Sequence, residues 1–236
     1  MKKILVIAPV LLCAFITIFA QDAALQTGLS LKYLLHVPSE KSPHAPVIIL
    51  LHGYGSDERD LFELQSAFPK NCFIVATRAP YSLPGGGYEW YDIRNGHDGN
   101  EDQLISSRQL IEKFVEEVTK KYKADAKSVY LIGFSQGAIM SYEVGLTNPG
   151  KIKGIGVLSG RIYESLKPQI KTNAALKQLR IFISHGTADD RIPFANGKES
   201  YQYLKGLGLK PDFHQYPAMG HTISNDVLKD LLQWLK

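Results

Sequence analysis

The stretch Tyr130-Leu131-Ile132-Gly133-Phe134-Ser135-Gln136-Gly137-Ala138 is an apolar strand that runs into Gly-x-Ser-x-Gly. A serine on so tight a turn between strand and helix takes strained backbone angles, so the residues that bracket it must be small. Gly133 and Gly137 meet that demand. Residues 129–132 read as a continuous apolar strand of a parallel sheet, and Ala138-Ile139-Met140-Ser141-Tyr142 suits the start of a packed helix. Strand, turn and helix therefore follow in the order that makes Ser135 a candidate nucleophile. The five-residue pattern alone also describes a glycine-bracketed loop serine, and its flanking elements give it weight.

Apolar β-rich runs recur at residues 47–51, 73–76, 129–134, 155–158, 181–184 and 213–216, with helical stretches between them. Ile111, Phe114, Val115, Val118 and Tyr122 repeat at helical spacing, with Glu112, Lys113, Glu116 and Glu117 on the other side. A last helix carries Val227, Leu228, Leu231, Leu232 and Leu235. The alternation predicts an α/β fold: a mostly parallel central sheet with helices on both faces. Residues 80–90 hold Gly85-Gly86-Gly87 without the Lys-Ser/Thr of a phosphate cradle, and are expected to form a flexible loop near the substrate. Residues 94–102 read as a solvated connection.

The chain has 236 residues, 44% hydrophobic and 21% charged, which suits one globular domain with a sizeable core. Residues 1–20 start with Lys2 and Lys3 and continue as an apolar stretch over 4–19, the layout of a secretory signal peptide. Ala20 is the expected cleavage point, leaving a domain at 21–236 and an exported protein, periplasmic or secreted, with no stable membrane association. An uncleaved anchor is the alternative. Cys13 follows the bulky Leu12, which argues against a lipoprotein. With the leader removed the net charge falls from +4 to +2, too mild for a nucleic-acid footprint. Cys72 is then the sole cysteine, which excludes an intrachain disulfide, and its apolar surroundings read as core.

A serine hydroxyl needs a base to take its proton and a third group to hold that base. After the run at 181–184 comes His185-Gly186-Thr187-Ala188-Asp189-Asp190-Arg191-Ile192-Pro193, and after the last strand Met219-Gly220-His221-Thr222. Reactive groups in an open parallel sheet gather at the carboxyl ends of strands, which suits Asp189 as the acid and His221 as the base. Alone, Asp189 reads as a turn or cap residue and His221 as a helix-start residue. Asp190 competes for the acid role and His185 for the base. His36, His44, His97 and His214 have no supporting context, and no spacing suggests a metal or any other cofactor. The oxyanion formed by attack on a carbonyl needs preorganised donors. The amide of Gln136, at a helix start, is one candidate. The amide of Tyr54, in Leu51-His52-Gly53-Tyr54-Gly55, is the other, with His52 and Gly53 shaping that loop.

Taken together, Leu-His-Gly-Tyr-Gly, Arg78-Ala79-Pro80, Trp90-Tyr91-Asp92-Ile93, Gly-Phe-Ser-Gln-Gly, His-Gly-Thr-Ala-Asp and Gly-His resemble the phospholipase/carboxylesterase family, which includes the acyl-protein thioesterases. The resemblance covers essentially all of residues 21–236. It implies an α/β-hydrolase fold with no large lid, a triad of Ser135, Asp189 and His221, and a small-molecule carboxylic ester or thioester as substrate. It assigns the acid to Asp189 rather than Asp190, treats His185 as structural, and sets Trp90 beside the substrate. The export signal departs from the cytosolic thioesterases and favours extracytoplasmic esters. A peptidase, a polymer-linked feruloyl or acetyl esterase, and a non-enzymatic binding module on the same scaffold are the alternatives.

Overall fold

The computed structural model describes residues 24–40, 44–94 and 98–236. The leader at 1–20, Cys13 and His97 lie outside the described residues. In chain order the strands are β1 (Tyr33–His36), β2 (Val47–Leu51), β3 (Phe73–Thr77), β4 (Tyr81–Ser82), β5 (Tyr88–Glu89), β6 (Val129–Phe134), β7 (Gly154–Leu158), β8 (Arg180–Gly186) and β9 (Asp212–Tyr216). The helices are α1 (Glu58–Phe62), α2 (Glu101–Tyr122), α3 (Gln136–Thr147), α4 (Ala174–Gln178), α5 (Phe194–Gly206) and α6 (Asn225–Leu235).

Seven strands form one sheet in the order β1-β3-β2-β6-β7-β8-β9. Every neighbouring pair is parallel except β1 with β3. Every residue of β2 and β7 is buried, because successive side chains point to opposite faces and both faces are covered. Val47, Ile49, Leu51, Leu131, Ile155 and Ile183 pack with Ile111 and Phe114 of α2, Ile139 and Met140 of α3, Leu176 of α4 and Leu204 of α5. Ile48, Leu50, Ile74, Ile132 and Phe182 pack on the other side with Leu61 and Phe62 of α1 and Val227 and Leu231 of α6. Each such fully buried aliphatic side chain stabilises the fold by roughly 1.5–3 kcal/mol. The expected sheet with helices on both faces is present, and the six expected runs all lie within strands.

The structure corrects three readings. β1 is an additional strand, a four-residue antiparallel edge too short for a periodicity signal. Residues 80–90 form not a flexible loop but a hairpin of β4 and β5. It is pinned to the segment after β2 by Tyr88 N donating to Ser56 O at 2.8 Å and Gly55 N donating to Tyr88 O at 2.9 Å. The Arg78 guanidinium holds the same corner, with Nε and Nη2 on the buried Glu58 carboxylate at 2.5 and 2.6 Å and Nη1 on Tyr88 Oη at 3.0 Å. Finally, the polar connection ends earlier than expected. Asn100 caps α2 by accepting from Gln103 N at 3.0 Å, and Glu101 and Asp102 form its acidic first turn.

Candidate active site

β6 lies at the middle of the sheet, between β2 and β7, so the residue after it stands at the centre of the carboxyl edge. That residue is Ser135, with φ 55° and ψ −116°. Such strain costs about 1–3 kcal/mol and persists because the surroundings enforce it. Ser135 N donates to Leu158 O at 2.9 Å, and Ser135 O accepts from the amides of Ala138 and Ile139. A Cβ at Gly133 would stand 2.0 Å from Gly137 O, and a Cβ at Gly137 would stand 2.0 Å from Leu51 O. Both positions therefore exclude every other residue.

Asp189 follows β8 and His221 follows β9. The loops are tied together by Ala188 N donating to Met219 O at 3.0 Å. His221 Nε2 lies 2.8 Å from Ser135 Oγ, and His221 Nδ1 lies 2.8 Å from Asp189 Oδ2. Because a carboxylate only accepts, the proton sits on Nδ1 and Nε2 is left to accept from the serine hydroxyl. Asp189 Oδ1 takes the amides of Arg191 and Ile192, each at 2.9 Å. Burial raises the Asp189 carboxyl, but the His221 bond and the two amides outweigh it and hold the group below the usual carboxylate range. The Phe134 ring packs against His221 at 4.9 Å between centroids.

The competing residues sit elsewhere. Asp190 is exposed and makes no hydrogen bond or ion pair among the described residues. His185 is fully buried, with Nε2 2.7 Å from Ile192 O and 3.4 Å from Asp189 Oδ2. Burial lowers its pKa, so it is a neutral support under the acid loop. Of the remaining histidines, His36, His44 and His214 do not line the cleft. Among the described residues no three His, Cys, Asp or Glu side chains are grouped to hold a metal ion.

The loop after β2 reaches the nucleophile closely, since a Cβ built on Gly53 would stand 3.4 Å from Ser135 Cβ. Tyr54 and Gln136 both line the cleft, and neither backbone amide has a hydrogen-bond partner among the described residues. Gln136 also opens α3, where the helix dipole favours negative charge. Its side chain does work that sequence reading missed: Oε1 accepts from Trp90 N at 2.8 Å and Nε2 donates to Tyr91 O at 2.7 Å. Nothing in the linear sequence signals that pairing.

Trp90, expected beside the substrate, is fully buried and does not line the cleft. Its indole Nε1 donates to His52 O at 2.9 Å and its carbonyl accepts from Ser107 Oγ at 2.5 Å, so it braces the wall from behind. Tyr91 and Ile93 of the same segment face the cleft instead. The cleft holds about 820 Å³, with Phe134, Ile139, Tyr163 and Ile192 completing its apolar wall. Tyr54 and Ile93 stay exposed at 40% and 41%, which leaves the mouth apolar. Arg161 and Arg191 contribute positive charge and Asp60 and Asp190 negative charge around it. Arg161 bonds Asp98 Oδ1 at 3.1 Å and lies over the Tyr163 ring at 4.5 Å.

Known proteins resemble this chain over most of its length. An acyl-protein thioesterase 1 of Yarrowia lipolytica is 31% identical, over 83% of this chain and 93% of that protein. The crystal structure of esterase PE8 is 28% identical, with a TM-score of 0.75 over 87% of this chain and 97% of that one. A phospholipase/carboxylesterase from Dyadobacter fermentans is 26% identical, with a TM-score of 0.71 over 86% of this chain and 96% of that one. The sequence profile of the phospholipase/carboxylesterase family matches residues 34–236, a span that begins in β1 and includes every residue of the hydrogen-bonded Ser-His-Asp line. With that match and the strand-turn-helix around Ser135, the chain belongs to the phospholipase/carboxylesterase family of α/β-hydrolases.

Proposed function

We propose that the protein is a serine hydrolase of small carboxylic esters and thioesters, working through an acyl-enzyme on Ser135. The observation that carries the reading is the line from Asp189 through His221 to Ser135, two contacts of 2.8 Å at an open apolar cleft. Ser135 Oγ attacks the carboxyl carbon while His221 Nε2 takes its proton, and Asp189 holds the imidazole and offsets its new positive charge. The amides of Tyr54 and Gln136 receive the oxyanion. His221 then gives the proton to the departing alcohol or thiol. Water, deprotonated by the same nitrogen, frees the acid and restores the serine.

The reading includes export: the basic start and apolar run of residues 1–20 support removal of a signal peptide after Ala20, leaving a domain at 21–236. N-terminal sequencing of the mature protein should then begin at Gln21; an intact Met1 overturns that part alone.

The experiment for the chemistry is labelling with a fluorophosphonate, with mass mapping of the adduct. Label on Ser135, and a fall in turnover of at least about a thousandfold in Ser135→Ala, are the expected results. An unchanged rate in that variant excludes the mechanism. A panel of nitrophenyl acyl esters, acyl thioesters, feruloyl and acetyl sugar esters and peptide amides then ranks the leaving groups.

A further inference from the structure

His52 is the first residue after β2, 1% exposed, and both of its ring nitrogens are engaged. Ala79 N donates to Nε2 at 3.0 Å, so Nε2 carries no proton. The neutral ring must therefore hold its proton on Nδ1, which lies 2.7 Å from Gly53 O and donates to it. Burial lowers the pKa of His52, which preserves this neutral tautomer. The backbone of the same residue is also held, by Trp90 Nε1 on His52 O.

The consequence lies in the peptide that follows. Gly53 C=O and Tyr54 N–H belong to one planar unit, and no peptide bond among the described residues is cis. In a trans peptide the carbonyl and the N–H point in opposite directions. A carbonyl drawn back onto the buried ring sends the N–H away from it, to the cleft that Tyr54 lines and that Ser135 shares. Without the Nδ1 donor this peptide would be held only by the longer bond from Ser56 N to Gly53 O, 3.3 Å, and could rotate, since Gly53 imposes no side-chain restraint.

We propose that His52 is a positioning residue: its Nδ1–H anchors the Gly53 carbonyl and thereby aims the Tyr54 amide at the oxyanion. This inference rests on the reading of Tyr54 as an oxyanion donor. A purely structural His52 would instead fill space between Ala79 and Trp90, whose ring lies 5.7 Å from its own.

Two substitutions separate the roles. In His52→Asn the amide nitrogen falls near the place of Nδ1 and can still donate to Gly53 O. In His52→Gln the amide reaches the place of Nε2, serving Ala79 N and leaving Gly53 O with only the longer bond from Ser56 N at 3.3 Å. Both lose the ring and both should melt at lower temperature. With a nitrophenyl butyrate, His52→Asn should keep kcat within about fivefold of wild type. His52→Gln should lose about a hundredfold in kcat, the order of one oxyanion donor, with KM within about threefold. Its affinity for an alkyl boronic acid, which forms a tetrahedral serine adduct, should fall by a similar factor. Equal losses in the two variants, or full kcat in His52→Gln, overturn the proposal. Should neither variant fold, ¹⁵N spectra of histidine-labelled wild type decide: a proton on Nδ1 supports the anchor, and a proton on Nε2 overturns it. A wild type that neither turns over ester nor takes fluorophosphonate fails the hydrolase reading, and this proposal with it; an active wild type with an indifferent His52→Gln fails this proposal alone.

Discussion

His221 Nδ1 stands 2.8 Å from Asp189 Oδ2, while Asp190, one residue further along the chain, is exposed and bonds neither His221 nor His185. Two adjacent carboxylates thus differ in everything that matters for holding a base. Replacing Asp189 by Asn keeps the shape but presents an N–H to the imidazole, which favours the wrong tautomer. Asp189→Asn should lower kcat by about ten-thousandfold, and Asp190→Asn should stay within about threefold. Steady-state kinetics on one nitrophenyl ester compare them, and a comparable loss in both contradicts the assignment.

The buried carboxyl of Glu143, on α3, has its pKa raised from 4.5 to about 7 by burial, which outweighs the Arg108 guanidinium 3.1 Å away. Below pH 4.5 it is protonated whether the chain is folded or not, and contributes nothing. Between there and about pH 7 the unfolded carboxyl ionises while the folded one keeps its proton, so stability falls as pH rises. The loss approaches about 3 kcal/mol and is constant above pH 7. Glu143→Gln removes this slope. The difference in urea unfolding free energy between wild type and variant, measured from pH 5 to pH 8, should move in the variant's favour.

Gln136 joins α3 to the Trp90-Tyr91 backbone through two buried hydrogen bonds. Removing the side chain leaves a buried N–H and a buried C=O without partners, at about 1–3 kcal/mol each. Gln136→Met, which fills similar volume without the amide, should therefore destabilise by roughly 2–5 kcal/mol in denaturant titration. A change under about 0.5 kcal/mol would mean that the pairing contributes nothing net.

At Gly137 an added Cβ would meet Leu51 O at 2.0 Å, a backbone atom of β2 that cannot step aside. Gly137→Ala should lose more than about 4 kcal/mol of stability or fail to accumulate as folded protein. Gly150, where a Cβ meets nothing within 4 Å, is the control, and Gly150→Ala should leave the melting temperature nearly unchanged.

Cys72 is buried, with its thiol pushed up to about 11 by loss of solvent contact. The thiolate is the reactive form, so native protein should resist a disulfide-exchange reagent at pH 8 and react fully once unfolded in guanidinium. Rapid modification of native protein, or loss of hydrolysis on alkylation, contradicts a purely structural thiol.

The strands were legible where apolar runs were long and doubly buried, as at β2 and β6, because alternation and burial are written in neighbouring residues. β1 was not, since a four-residue edge strand has too few positions to show a period. The turn at Ser135 was legible because glycine at two bracketing positions is a local steric demand. Its partners were legible only as an order along the chain; spacing alone left Asp189 and Asp190 open, and it was the family resemblance that separated them. Trp90 was read as lining the substrate because the family resemblance sets its segment beside the active site, but of the two neighbours, both fully buried, it is Tyr91 that lines the cleft and Trp90 that does not.

The parallel sheet, the strained serine turn and the inventory of reactive side chains follow from neighbouring residues, because hydrophobic period and backbone sterics act over a few positions. Which atoms meet depends on the folded chain. Gln136 and Trp90 are 46 residues apart, Ser135 and His221 are 86, and His52 and Ala79 are 27. Such contacts depend on how the sheet brings its carboxyl ends to one edge, and on where burial denies a polar atom water, neither of which any short stretch of chain encodes.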